Sequence, residues 1–344
     1  SGVLSRIRYL THLNGKRFES LSLSTQKGSG ESSWKELADL SYGKKTMEHR
    51  VKLRKTFLDL RRVLEKNNAN KLIEIGSYAV GASTCSSDLD LLLIPHASDR
   101  SEDRIEEFKK NMNNMMFRKQ MLYPLAMKLN QAGVLKNPPD VIFKTKVPII
   151  QGKTRTGVAF DIQMGSVETV YSTNYTRVAF QLDPRQILVY HWLRKQTEKY
   201  CLFGGRDALF TAFHLYMLVI HFAQATGILP NLMDEHPLHL SRACHWSDLT
   251  EDFREGKTTL DAIYSTEDAD VWAPVLTDQL IDYYGSIDFT KVEIDVGRTS
   301  LKERMTNELL LIEPFHDQKL GVCSVRNGAT FMNLLFSKLK NRSG

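Results

Sequence analysis

The sequence predicts an α+β chain with a mixed-sheet domain first and a mostly helical domain after it. Three observations point there. Short apolar, alternating runs of strand length cluster in the first half, at residues 72–75, 91–94 and 157–164. Residues 46–66 repeat their apolar positions at helical spacing, with Met47, Val51, Phe57, Leu60 and Leu64 on one face. From Pro184 onward the pattern reads mainly as helices, with one short strand pair near Val292-Glu293-Ile294.

Taken in order, residues 1–33 are expected to be a flexible N-terminal segment. Residues 26–33, QKGSGESS, have linker composition. Residues 34–66 supply a helix expected to contribute to the central helical domain, with Arg50, Arg54, Arg61 and Arg62 facing mostly outward as a solvated basic face. Residues 67–183 form the sheet domain and residues 184–344 the helical one. Within the first, residues 104–131 read as a long helical insertion whose methionines (Met112, Met115, Met116, Met121, Met127) are expected to pack in a core.

The most informative stretch is LIEIGSYAVGASTCSSDLDLLLI, residues 72–94. An apolar strand enters Gly76-Ser77, a loop of small residues follows, and Asp88-Leu89-Asp90 opens a second apolar strand. Side chains two apart on a strand share a face, so Asp88 and Asp90 project together, roughly 6–7 Å apart from twice the ~3.3 Å rise. Two neighbouring carboxylates repel, and a hard divalent cation with oxygen ligands offsets that repulsion. Gly76 lets the backbone approach a ligand closely, and the N–H groups here with the Ser77 hydroxyl suit a phosphate. A third carboxylate, Asp161, lies in the alternating run GVAFDIQM, among Val158, Phe160 and Ile162. Residues 146–153, KVPIIQGK, read as its hairpin partner across the turn Lys153-Thr154-Arg155-Thr156. Such an Asp calls for a partner or a metal.

Gly-Ser, about ten loop residues and Asp-x-Asp resemble the nucleotidyltransferase superfamily of DNA polymerase β. The resemblance narrows to the template-independent RNA terminal nucleotidyltransferases of the Gld-2 type, which add poly(A) or poly(U), and covers about residues 45–335. Four further stretches carry it: DPRQILVYHWLRKQ (183–196), FTAFHLYMLVIHFAQ (210–224), ILPNL (228–232) and LIEPF (311–315). It implies a polymerase β-like catalytic domain, a cleft between the two domains, and Mg²⁺ (or Mn²⁺) held by Asp88, Asp90 and Asp161. It also implies a nucleoside triphosphate and an RNA 3′ end as substrates, with a protein partner for targeting or activation. Gly76, Ser77 and Arg194 would then hold the triphosphate, Thr169 would reach the ribose, and Phe213 would stack on the base.

The chain departs from the family pattern at several of these positions. Tyr190 stands where the family has a triphosphate-binding Lys, and Arg194 replaces a second Lys. Phe210-Thr211-Ala212-Phe213 replaces Leu-Ser-Ser-Tyr, keeping a hydroxyl at Thr211. Glu168-Thr169 replaces Asn-Thr. Beyond Pro314-Phe315, His316 falls too early for the base-reading His of uridine-preferring relatives, and Lys319 lies nearer that place. A Lys ammonium only donates, so it fits the carbonyl oxygens of U or G. UTP, GTP or both are the expected donors, with ATP-dependent poly(A) synthesis as the alternative. A catalytically weak scaffold in an RNA-processing complex is a further alternative, favoured by Tyr190, Ala212 and Glu168 and opposed by the intact aspartates.

Charge and composition agree with a polyanionic partner. The 344 residues carry a formal net charge of +6, and the isoelectric point is about 9.0. Four cysteines (Cys85, Cys201, Cys244, Cys323) lack metal-ligand spacing and suggest reduced thiols in an intracellular compartment, the cytoplasm or the nucleus. No secretory leader is read. The longest apolar stretch, residues 208–225, contains His214, His221 and Gln224, so no membrane span is expected.

Overall fold

A computed structural model describes residues 34–66, 70–95, 107, 110–111, 113–145, 147–164, 167–203, 210–235, 240, 245–246, 248–249, 268–312 and 322–343. The expected N-terminal linker lies outside the described residues. Two compact units are present. One is built from residues 42–174 with 245–249, the other from residues 34–41, 175–240 and 268–343. The helical stretch assigned as a whole to the central domain is therefore divided: α1 (Trp34–Tyr42) falls almost entirely in the second unit, and α2 (Lys44–Leu64) in the first.

The first unit is a five-stranded mixed sheet with helices against one face. Its strands are β1 (Asn70–Glu74), β2 (Leu89–Pro95), β3 (Asp140–Ile142), β4 (Ile149–Lys153) and β5 (Ala159–Gln163), in the order β1-β2-β5-β4-β3. A one-turn helix, α3 (Gly76–Ala79), lies between β1 and β2. The expected hairpin forms, with β4 antiparallel to β5 from Lys153↔Ala159 to Ile149↔Gln163. β2 and β5 pair in parallel, Leu89↔Phe160 through Leu92↔Gln163. Strand alternation sorts the side chains. Leu72, Leu89, Leu91, Leu93, Ile150, Phe160 and Ile162 enter one core with Leu53, Phe57, Leu60 and Leu64 of α2, and with Leu122, Leu125 and Leu129 of α4 (Met115–Gln131).

Two expectations about helix faces are corrected. The inner face of α2 runs through Thr46, Leu53, Thr56, Phe57, Leu60 and Leu64, while Val51 is 70% exposed. Apolar identity at residue 51 misled the phase; the 53-57-60-64 spacing is the one that faces the sheet. On α4, Leu and Ala fill the inner face, and Met115, Met116 and Met127 are exposed rather than packed. Asn114 caps this helix, its side chain accepting from the Met116 and Phe117 N–H groups at 2.9 and 3.4 Å.

The second unit contains most of α5 (Glu168–Leu182), then α6 (Arg185–Lys199), α7 (Ala212–Ala225), α8 (Leu232–Glu235), α9 (Ala269–Gly285) and α10 (Gly328–Ser343). α9 packs against α6, α7 and α10. It also carries a four-stranded mixed sheet instead of one strand pair. β6 (Val292–Asp295), β7 (Ser300–Glu303), β8 (Leu309–Ile312) and β9 (Val322–Val325) stand in the order β7-β6-β8-β9. Four-residue strands are too short for alternation to announce them. The ILPNL stretch is the joint between helices and sheet. Gln224 Nε2 donates to Val296 O at 2.9 Å, and its Oε1 accepts from the Leu232 N–H at 2.9 Å. Asn231 Nδ2 donates to Gly297 O at 3.1 Å, while its Oδ1 caps α8. No described helix is long and apolar enough to cross a membrane.

The two readings of α2 separate experimentally. Leu53→Ala should destabilise the protein by about 2–5 kcal/mol in denaturant unfolding, whereas Val51→Ala should stay within about 0.5 kcal/mol of wild type.

Candidate active site

The ends of β1 and β2 and the centre of β5 bring the predicted aspartates together. Ile75 N–H donates to Asp90 O at 3.0 Å, which carries the β1–β2 pairing up to the glycine. Gly76 has φ of +67°, and a Cβ there would overlap the Asp90 carboxylate. No other residue combines that backbone with that approach. The chain then turns through α3 into a buried loop of small residues. Ala82 N–H donates to Ser77 O at 2.8 Å and Gly81 N–H to Tyr78 O at 3.1 Å. Val80, Ala82 and Ser83 are buried.

Asp90 and Asp161 are register partners on the adjacent parallel strands, so their side chains share one face of the sheet. Asp88 stands one residue before β2 and is exposed, while Asp90 and Asp161 are half-buried. Burial first, then the charges of Asp161 and Asp88, push the Asp90 carboxyl up to about 7. Burial also raises Asp161, as does Asp88, and a hydrogen bond works against the shift: Gln151 Nε2 donates to Asp161 Oδ2 at 3.1 Å.

Four neighbours of the aspartates were not read as such from the sequence. Gln151 sits opposite Asp161 in the hairpin, and the hairpin register with its turn at 154–157 contained that signal. Arg50 and Arg54, expected on a solvated face, turn toward the site instead. Arg50 Nη2 donates to Gly81 O at 2.7 Å and Ser83 O at 3.0 Å, and its Nε donates to Ser83 Oγ at 3.1 Å. Arg54 pairs at 3.3 Å with Glu74, whose side chain is 4% exposed, at the end of β1. His49 Nε2 lies 2.7 Å from Ser87 O; a carbonyl only accepts, so this nitrogen carries the hydrogen.

The remaining predicted residues that are described sit on the helices that follow the sheet in the chain. Thr169 is half-buried in the first turn of α5. Tyr190 is a buried aromatic whose ring centroid stands 4.4 Å from that of Tyr216. Arg194 donates to Glu198 Oε1 at 2.8 Å and lies over the Phe203 ring at 4.7 Å. Thr211 is the exposed N-cap of α7, its N–H donating to His214 Nδ1 at 3.0 Å, and Phe213 follows half-buried. Burial holds the His214 imidazole down at about 4, neutral, in keeping with its acceptor role. Lys319 and residues 313–315 of the LIEPF stretch lie outside the described residues.

Among the described residues no group of three or more His, Cys, Asp or Glu forms a ready metal cage. The donor set nevertheless fits Mg²⁺ or Mn²⁺, which take one or two carboxylates and complete their shell with water and substrate phosphate. Facing carboxylates that hold protons to unusually high pH are what such an ion would displace those protons from.

A mixed sheet bearing paired aspartates beside a glycine-led loop is a polymerase β-like nucleotidyltransferase palm. Residues 30–178 match the family described as "Poly(A) RNA polymerase, mitochondrial-like, central palm domain", so this part of the chain is similar to that palm domain. No curated protein sequence matches it. Solved structures share the fold across nearly the whole chain. RNA editing TUTase 1 from Trypanosoma brucei, in complex with UTP, aligns with a TM-score of 0.67 at 10% identity, covering 99% of this chain and 88% of that one. The GLD-2/RNP-8 complex aligns at 0.58 and 15%, covering 98% and 94%. The structure of mtPAP in complex with UTP aligns at 0.59 and 14%, covering 94% and 73%.

The raised Asp90 value has a consequence for stability. A carboxyl whose folded value exceeds its unfolded value of about 4 stabilises the fold fully below that pH, and the contribution is lost as pH rises through the folded value. Without divalent metal, the contribution of Asp90 itself should therefore be lost between about pH 4 and 7. An opposite trend comes from His214 and His221, whose imidazoles burial holds down at about 4, so the Asp90 part is read as the difference between wild type and variant. Asp90→Asn should remove that part and melt higher above this range. An unchanged pH dependence in the variant would assign it to other groups.

Proposed function

We propose that this protein adds ribonucleotides to RNA 3′ ends without a template, the 3′-hydroxyl attacking the α-phosphorus of a nucleoside triphosphate with release of pyrophosphate. The observation that carries this reading is the register of Asp90 with Asp161 beside Gly76. Bound Mg²⁺ or Mn²⁺ would supply the positive charge that stabilises attacking and leaving oxygens. Asp88 and Asp90 would hold the ions. Asp161, steadied by Gln151, completes the site on the hydroxyl side and draws the 3′-hydroxyl proton. Gly76 and Ser77 present N–H groups and a hydroxyl to the triphosphate, with Arg194 adding charge. Thr169 and Thr211 offer hydroxyls to the nucleotide, and Phe213 stacks on the base, a contact worth roughly 1–3 kcal/mol. Tyr190, with its ring among other aromatics, supports that site by packing.

UTP or GTP is the proposed donor, on the strength of Lys319 as a pure hydrogen-bond donor. Poly(A) synthesis is the second reading, favoured by the poly(A) polymerase family of the palm. The mtPAP structures, which hold UTP and GTP, show that nucleotides other than ATP occupy such a fold. A protein partner is also proposed, since GLD-2 is seen bound to RNP-8 and to GLD-3.

Asp90→Ala should reduce incorporation into a labelled RNA primer to below a tenth of wild type, since each ~1.4 kcal/mol of lost barrier stabilisation is tenfold. Retention of more activity removes Asp90 from the site. Competition among the four triphosphates on one primer ranks the donors. A clear preference for ATP would replace uridylyl or guanylyl addition with adenylyl addition.

A further inference from the structure

We infer that Arg50 and His49 are positioning residues, holding the loop between Gly76-Ser77 and Asp88 in the shape that presents the phosphate contacts and the first carboxylate together; the inference rests on the nucleotidyl-transfer reading above. The loop, residues 80–87, reads VGASTCSS and has no large side chain with which to anchor itself. Small residues leave a chain many conformations, so the shape must be imposed by other groups. Its internal bonds are local: Ala82 N–H reaches Ser77 O, and Thr84 N–H reaches Ser87 Oγ at 2.9 Å.

Adjacent residues of α2 supply the rest. Arg50 reaches the middle of the loop, satisfying Gly81 O and both Ser83 oxygens, where Ser83 is wholly buried. His49 reaches its end, at Ser87 O, one residue before Asp88. α2 is in turn fixed to the sheet by Leu53, Phe57 and Leu60 in the core and by Arg54 on Glu74. The geometry needs the planar guanidinium. Its fork aims several N–H groups at fixed acceptors, whereas a Lys ammonium is a single flexible point of charge. A loop so held keeps Gly76-Ser77 and Asp88 in one frame with Asp90.

Arg50→Lys and His49→Ala test this, with Arg61→Lys as the control. Arg61 lies on the same helix and pairs with Glu65 at 3.2 Å, away from the loop. Three quantities are read. They are KM for the triphosphate against kcat, Mn²⁺ binding by electron paramagnetic resonance without nucleotide, and hydrogen exchange of residues 80–88 in the metal-free protein. The clamp predicts that Arg50→Lys weakens Mn²⁺ binding and raises KM by about tenfold or more, as loss of a residue supporting metal ligands does. In that case kcat at saturation changes little. Exchange should quicken in residues 80–88 but not in β5, His49→Ala should do the same more weakly, and Arg61→Lys should change none of these. Uniformly faster exchange, a fall in kcat at constant KM, or the same shifts from Arg61→Lys would overturn the clamp and leave Arg50 a stability residue. If the wild-type protein incorporates no nucleotide, the transfer reading fails by itself. Mn²⁺ affinity and exchange still judge the clamp, and unaltered values in Arg50→Lys would refute it.

Discussion

The parallel pairing of β2 with β5 is the constraint on which the site depends. It sets Asp90 directly across from Asp161, and a slip of one residue would turn one of them into the hydrophobic core. The same register drives Leu89, Leu91, Phe160 and Ile162 onto the opposite face, against α2 and α4. Core and site are therefore two faces of one choice. Burial of several large apolar side chains, each contributing about 1.5–3 kcal/mol, locks a register that brings two carboxylates together.

That closeness is unfavourable without a cation, and the surroundings temper it only in part. Gln151 offers one donor to Asp161, and Gly76 leaves room for the Asp90 carboxylate where any side chain would collide. No described positive charge is paired with either aspartate; Arg50 and Arg54 spend their donors on the neighbouring loop and on Glu74. The fold thus places its fixed cations around the carboxylates rather than on them.

Much of this palm was legible in the sequence because its signals are local. Glycine before a small-residue loop, alternating strands and the polar turn at 153–156 each declare their role within a few residues. The hairpin from β4 to β5 carried Asp161 to its place by chain geometry alone. What was not legible depended on tertiary direction. Val51 and the methionines of α4 are apolar, and nothing local says that solvent lies beside them. Arg50 and Arg54 looked like a wet basic face, because their acceptors come from a loop and a strand some 20 to 33 residues further on. The four strands of the second sheet are too brief for periodicity, and their parallel β6–β8 contact is nonlocal. The nucleotide roles proposed for Thr169, Arg194, Thr211 and Phe213 come from the family resemblance. The burial of Tyr190 against Tyr216 required the packed structure.

The register of β2 with β5 also orders events in time. Asp90 and Asp161 are about 70 residues apart in the chain, and the pairing that joins them is the most distant in this sheet. Closing so long a loop is slow compared with forming the β4–β5 hairpin or the α2 helix. At a synthesis rate of roughly 5–20 residues per second, the first two aspartates leave the ribosome seconds before the third. During that interval Asp88 and Asp90 are an ordinary acidic pair on an unfinished edge. The charge of Asp161 joins that of Asp90 only through β5, the strand that comes last in the chain order of this sheet. The pairing with the greatest chain separation in this sheet is thus the one that brings its two carboxylates together.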